Sequence, residues 1–241
     1  MRMLVPAGPD ATDAEIASWY EFDPGVRLRS NMVMSLDGRA TGHDGLAGAL
    51  SGPADTRLLG LLRGVADAVV VAAGTIRAEG YNPIRARESL RGYRASAGLA
   101  EHPALVVVTR RPTLDPGLDL FTQAPVRPIV LCADDDGSLV EVADVIECPD
   151  GSGGVDLAAA VAQLAERGLR RLHTEGGPHL LGGFVAAGVL DEYCLTLSPM
   201  LAGGASELRP VMGGSVPTGF TLAQACEDGA FLFLRYRRTS S

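Results

Sequence analysis

The sequence predicts an α/β fold, a three-layer αβα sandwich around a mostly parallel sheet with antiparallel strands at its C-terminal end. Three observations carry this. Continuous apolar runs such as "ADAVVVAA" (Ala66 to Ala73) and "ALVVVT" have the composition of strands buried on both faces. They alternate along the chain with segments of helical period, "PADTRLLGLLR" and "VDLAAAVAQLAERG". Near the end the period changes: "LDEYCLTLSP" and "AFLFLRYRR" alternate in twos, as antiparallel strands closing an edge do.

Residues 1–25 are expected as an N-terminal extension with one short helix, "ATDAEIASWY", opened by a capping box of Thr12 and Glu15. Residues 26–241 form the principal domain. Val26 to Met34 alternates and reads as its first strand. The helix "PADTRLLGLLR" has Pro in its first turn and Leu58, Leu59 and Leu62 on one face. "PIVLCA" is a further buried strand and "DVIECP" a weaker one. The helix from Val155 ends at Gly168, "LRRLHTE" returns as a strand, and "GPHLLGGFVAAG" is a short helix opened by glycine. Residues 200–219 are expected as loop. So are residues 80–103, whose basic stretch "RARESLRGYR" suits a loop over an active site.

The totals exclude several classes. A net charge of -8 argues against a nucleic-acid binder, which would show a basic stripe. The apolar runs fall short of the ~20 residues a spanning helix needs, and no secretory signal is visible, so a cytoplasmic protein is expected. Cys132, Cys148, Cys194 and Cys226 are scattered without a Cys-x-x-Cys, and the histidines lack ligand spacing. No metal is expected.

Ligands of such sheets bind outside the carboxyl ends of the strands, which ranks the loops. Asp37, in "SLDGR", either caps its own tight turn or faces a substrate. Gly74 and Thr75 follow a buried strand and could offer backbone N–H groups to an anion. Thr109 and Arg110, with Arg111, end another strand. There they either meet solvent or suit the 2′-phosphate that separates NADP from NAD. Gly176, Gly177 and Pro178 open a helix that continues through Leu180, Leu181 and Gly182, where a pyrophosphate could approach the backbone. This is not G-x-G-x-x-G and lies late in the chain, which disfavours an ordinary Rossmann dehydrogenase. His173-Thr174-Glu175 is not followed by Pro-Cys-x-x-Cys, so a zinc deaminase is rejected.

Taken together, "SLDGR", "ADAVVVAAGTIRAEGYNP", "TEGGPHLLGGFVAAGVLDE" and "LSPMLAGG" resemble the reductase domain of bacterial riboflavin biosynthesis, which has the dihydrofolate-reductase-like fold. The resemblance runs from about Arg29 to Gly204. It implies an NADPH-dependent reductase, usually a homodimer, that converts 5-amino-6-ribosylaminouracil phosphate to the ribitylamino compound. No deaminase half is visible, so a stand-alone reductase is expected. By position, Val33, Thr75 and Glu79 match cofactor contacts of that family, and Arg110 falls at or beside its adenosine-side contact. The resemblance places Gly177 to Gly183 on the pyrophosphate, Glu175 near the substrate, and Arg63 on the substrate's ribose phosphate.

Two departures bear on the substrate. Ala47 and Ala49 stand where riboflavin-making relatives typically carry a polar and an aromatic residue. Asp55 stands where they generally lack an acid but where dihydrofolate reductases keep one, in a Pro-x-acid pattern that "GPADTRLL" resembles. There it would bind or protonate the substrate; alternatively it is an acid favoured by the helix dipole. The expectation is hydride transfer to a C=N bond of a small-molecule pyrimidine or, alternatively, a dihydropterin. A non-catalytic NADPH-binding redox sensor would need the cofactor loops but neither Asp55 nor Arg63.

Overall fold

In the computed structural model, which describes residues 1–5, 7–25, 27–204, 207–213 and 217–239, the chain opens with β1 (Arg2–Val5), β2 (Ala7–Asp10), α1 (Asp13–Trp19) and β3 (Arg27–Met34). Then come α2 (Pro53–Gly64), β4 (Ala68–Ala72), α3 (Ala73–Glu79), α4 (Arg91–Ser96) and β5 (Ala104–Thr109). The order continues with α5 (Asp119–Thr122), β6 (Ile129–Cys132), β7 (Asp144–Glu147), α6 (Leu157–Glu166) and β8 (Arg171–Thr174). The chain closes with α7 (Pro178–Ala186), β9 (Glu192–Leu197), β10 (Phe220–Asp228) and β11 (Phe231–Arg238).

The described strands form one sheet in the order β2-β1-β10-β11-β9-β3-β8-β4-β5-β6-β7. The stretch β9-β3-β8-β4-β5-β6-β7 is parallel, and β9, β11, β10, β1 and β2 pair antiparallel. Helices cover both faces, because each central strand is apolar on both sides. On β4, Val70 points to a core completed by Leu164, Leu181 and Phe184 of α6 and α7. Its neighbours Val69 and Val71 point the other way, onto Ile76 of α3 and Leu120 and Phe121 of α5. The expected α/β sandwich with antiparallel C-terminal strands is the observed architecture.

Several expectations change in detail. The first strand is described from Arg27, and Val26 lies outside the described residues. Residues 80–103, expected as loop, contain a 3-10 turn at Glu88–Leu90 and then α4. The cause is Arg94, buried and donating to the carbonyls of Gly64 (2.7 Å), Ala66 (2.9 Å) and Ala100 (2.7 Å). β10 had no counterpart in the sequence reading, since a register shift between Leu222 and Gln224 interrupts its alternation. The described residues of the 200–219 connection form no helix and fold back on the sheet's carboxyl edge: Ala40 N–H donates to Leu208 O, and Met212 N–H to Pro178 O.

The N-terminal segment joins the sheet through β1, which pairs with β10. The short helix forms with its capping box, Thr12 with Glu15. It buries Ile16 and Ala17 against Leu58, Leu61 and Leu62 of α2. Beneath it lies a buried ion cluster. Glu192 accepts from Arg29 Nε (2.6 Å) and Arg235 Nη2 (2.5 Å), and both arginines also donate to backbone carbonyls at the end of α1. Arg29 stacks over Phe22 at 4.1 Å from the ring centroid.

Candidate active site

The strand order changes direction around β3, β8 and β4, and at their carboxyl ends a cleft of about 570 Å³ opens. Asn31, Met32 and Val33 form its floor, and the segment from Ala40 to Ser51 forms one wall. α2 supplies the rest of that wall. Gly52 starts the helix without a side-chain cap, close under the Phe231 ring, and Pro53 follows. From there Ser51, Asp55, Leu59 and Arg63, each four residues apart, line the cleft as one stripe. The core face is Leu58, Leu61 and Leu62. Leu59, expected on that face, belongs to the cleft instead.

Asp55 is buried, with 5% of its surface exposed. Ser51 Oγ donates to Asp55 Oδ2 at 2.5 Å, and Asp55 Oδ1 has no protein donor. An acid that merely served the helix dipole would face solvent at the first turn. This one faces a cavity.

At the far end of the stripe, Arg63 grips Glu175 with two bonds, Nε to Oε1 (2.5 Å) and Nη2 to Oε2 (2.7 Å). The Tyr81 hydroxyl donates to the same Oε2 at 2.5 Å, and the Arg63 guanidinium lies 5.7 Å from the Tyr81 ring centroid. His173 Nε2 sits 3.7 Å from Glu175 Oε1. Burial acts to raise the Glu175 carboxyl, but Arg63 overcomes it and holds the group below its ordinary range. Burial pushes Tyr81 well above its usual value, and Glu175 adds to this. Burial also lowers His173 to about 4, so the ring is neutral at physiological pH. The cluster therefore carries one tightly paired cation and anion, and two of the five N–H donors of Arg63 are committed to Glu175.

A second cleft of about 870 Å³ adjoins the first across Ala72, Gly74, His179 and Leu180. It runs to Arg77, Thr109, Arg110 and Arg111. Where the two meet, a Cβ on Gly177 would stand 2.7 Å from Thr75 Oγ1, so a larger residue here would displace that hydroxyl. Gly177 also opens α7 without a side-chain cap, which leaves first-turn N–H groups free for an anion. The two clefts together form a groove with the N-terminus of α7 at its middle and Arg77, Arg110 and Arg111 at one end.

Of the residues singled out in the sequence, the first cleft gathers Val33, Asp55, Arg63, Gly74, Thr75, Glu79, Glu175, Gly177, Pro178 and Leu180. Thr109 and Arg110 line the second. Glu79 has a task of its own, since its carboxylate accepts from Ala47 N–H at 2.9 Å and holds the facing wall. Four residues lie elsewhere. Asp37 accepts from Ser35 Oγ and from the N–H groups of Ala202 and Gly203, so it fastens the loop after β9 and does not line either cleft. Leu181 is core, and Gly182 is packed beneath Met212, whose carbonyl would be 1.8 Å from an added Cβ. Gly176 is buried beside Met32, with its carbonyl accepting from Ala72 N–H. A Gly182→Ala variant is expected to lose at least about 1–3 kcal/mol of stability by overpacking, read from denaturant midpoints. The sequence reading missed Asn31, Ser51, Arg77, Tyr81 and His179. Ser51 alone had a local signal, one turn before Asp55.

Residues 26–233 match the family described as the RibD C-terminal domain. The chain is 28% identical over 183 residues to the 2,5-diamino-6-ribosylamino-4(3H)-pyrimidinone 5′-phosphate reductase of Archaeoglobus fulgidus, covering 72% of this chain and 80% of that one. It is 24% identical over 185 residues to the riboflavin biosynthesis protein RibD of Escherichia coli and spans about half (49%) of that protein's length. Among solved structures, a pyrimidine reductase-like protein from Corynebacterium diphtheriae superposes with a TM-score of 0.80. It is 26% identical, over 90% of this chain and 93% of the other.

Proposed function

The chain belongs to the RibD C-terminal domain family, and from that membership we propose that it reduces a ribosylaminopyrimidine 5′-phosphate to the ribitylamino compound with NADPH. The observation that carries this reading is the pair of adjoining clefts at the carboxyl edge of the sheet, which share Ala72, Gly74, His179 and Leu180, with Arg63, Glu175 and the buried carboxylate of Asp55 lining the first and Arg77 and Arg110 the second. A bound nicotinamide supplies hydride to the carbon of the substrate's C=N bond. Thr75, Gly177 and the start of α7 hold the pyrophosphate, and Arg77 and Arg110 take the 2′-phosphate at the far end. Asp55 orients the heterocycle and delivers or directs the proton that the imine nitrogen gains. Glu175, set by Arg63 and Tyr81, bounds the substrate on the other side, and Arg63 meets its phosphate through donors not used by Glu175.

A second reading, a dihydropterin as substrate, is favoured by Asp55 alone. The protein acts as a cytoplasmic homodimer in this proposal. Among the described residues no helix is long and apolar enough to cross a membrane. Exposed Leu36, Met200 and Leu201 gather where Leu36 N–H bonds Met200 O, which supports a self-association face.

The cofactor assignment is tested by titration. NADPH is expected to bind more tightly than NADH. Arg110→Ala is expected to weaken NADPH by about 10–100-fold, the worth of a charge-assisted bond, with NADH unchanged. Equal affinities in the wild type would remove the assigned role of Arg110. Turnover of the pyrimidine phosphate tests the reaction itself. Tight NADPH binding without turnover of any pyrimidine or pterin would favour a redox-sensing module instead.

A further inference from the structure

The substrate class assigned above is a ribosylamine. Its C1′ is bonded to the exocyclic nitrogen and to the ring oxygen O4′, and no C=N bond is there to receive a hydride. The sugar ring must first open to an imine. Opening breaks the C1′–O4′ bond, removes the proton of the exocyclic N–H and places one on O4′, with no electrons gained or lost. It needs a base and an acid side by side at the sugar. Asp55 is placed for the heterocycle instead, since it lies two turns from Arg63 on α2, about 12 Å along the axis.

At the Arg63 end, Glu175 and Tyr81 both line the cleft. Three of the roughly four lone-pair positions on the Glu175 carboxylate are taken, two by Arg63 and one by the Tyr81 hydroxyl. One position stays open on Oε1, where His173 comes no closer than 3.7 Å. Arg63 cannot give up a proton, and His173 is wholly buried without a hydrogen-bond partner. That leaves the Tyr81 hydroxyl as the mobile proton, and it already touches the carboxylate that can replace it. The geometry points to Tyr81 as the acid that opens the sugar ring, paired with Glu175 as the base. This rests on reading the cleft as the site of a ribosylamine. Glu175 takes the exocyclic N–H proton, and the electrons of that bond form C=N as C1′–O4′ breaks. O4′ keeps the electrons of its bond and takes the Tyr81 proton. The carboxyl then passes its proton to the Tyr81 oxygen, directly or through a water, and both groups are restored.

Tyr81→Phe keeps the ring and removes the proton. With the 2,5-diamino-pyrimidinone ribosyl phosphate and saturating NADPH, kcat is expected to fall at least about 100-fold. KM, NADPH affinity and the unfolding midpoint are expected to stay at wild-type values. Ring opening then limits the rate, so in single turnovers the isotope effect from NADPH deuterated at C4 should fall from the wild-type value toward unity. A tyrosine that only shaped the cleft would disturb hydride transfer and leave that isotope effect intact or larger. Wild-type protein is also tested with NADP in place of NADPH. Opening and reclosure without hydride should speed exchange between the two anomers of the substrate, read by NMR, and Tyr81→Phe should lose that acceleration. Full kcat in Tyr81→Phe, an undiminished isotope effect, or no anomer exchange by the wild type would each overturn the inference, while wild-type turnover leaves the assigned reaction standing. A wild type that turns over no ribosylaminopyrimidine phosphate would sink that reaction and the inference with it.

Discussion

Asp55→Asn is expected to lower kcat by about 10²–10⁴, the usual worth of a positioned acid or base, while NADPH affinity stays at the wild-type value. The substitution keeps the shape of the group and its bond with Ser51, and it lies on the cleft wall, away from the arginines of the second cleft. What it removes is the carboxylate beside the reacting heterocycle. Ser51→Ala is the graded companion. It deletes one hydrogen bond to Asp55 Oδ2 and is expected to cost about tenfold, near 1.4 kcal/mol. Steady-state kinetics with NADPH held saturating separates these from a binding defect. An Asp55→Asn enzyme with full kcat would reduce Asp55 to a helix-start acid.

Glu192→Ala is expected to destabilise the fold by about 3–5 kcal/mol, the typical cost of stranding buried charge. Arg29 and Arg235 would lose their common carboxylate, both nearly fully buried. The damage would reach α1, because the same arginines hold the carbonyls that end it. Burial acts to raise the Glu192 carboxyl, yet Arg29 and Arg235 hold it below its ordinary 4.5 in the folded protein. A depressed carboxylate stabilises the fold above its unfolded value and loses that contribution as pH falls through the folded one. Wild-type stability should therefore decline as pH drops below about 4.5, and this part of the decline should be absent in Glu192→Ala. Denaturant unfolding at a series of pH values reads both effects. A loss under about 1 kcal/mol at neutral pH would mean that the arginines find water or other partners.

The parallel strands and their helices were legible because each carries its own period, and the loops at their carboxyl ends follow from topology. Thr75 and Gly177 were found that way and Asp55 through its Pro-x-acid pattern, and the three do meet in one cleft. What stayed hidden depends on partners far along the chain. The Arg63–Glu175 pair spans 112 positions, and Tyr81 reaches the same carboxylate across 94. Nothing local in "EGGPHLLGG" distinguishes Gly177, which borders the cleft, from Gly182, which is buried under Met212. Asp37 looked like a possible ligand group, but its acceptors were claimed by Ala202 and Gly203, residues that only folding brings near. For α2 the leucine count was right and the face partly wrong. The helix has two working sides, and Leu59 lies on the side of Asp55 and Arg63.

The most direct measurement follows the hydride. Protein, NADPH deuterated at C4 of the nicotinamide, and the 2,5-diamino-pyrimidinone ribosyl phosphate are incubated together, and the product is located by mass spectrometry and NMR. The expected result is a ribitylamino product with one deuterium on the former anomeric carbon and one NADP formed per product. Unlabelled product, or intact substrate beside tightly bound NADPH, would contradict the assignment of this cleft as the site of C=N reduction.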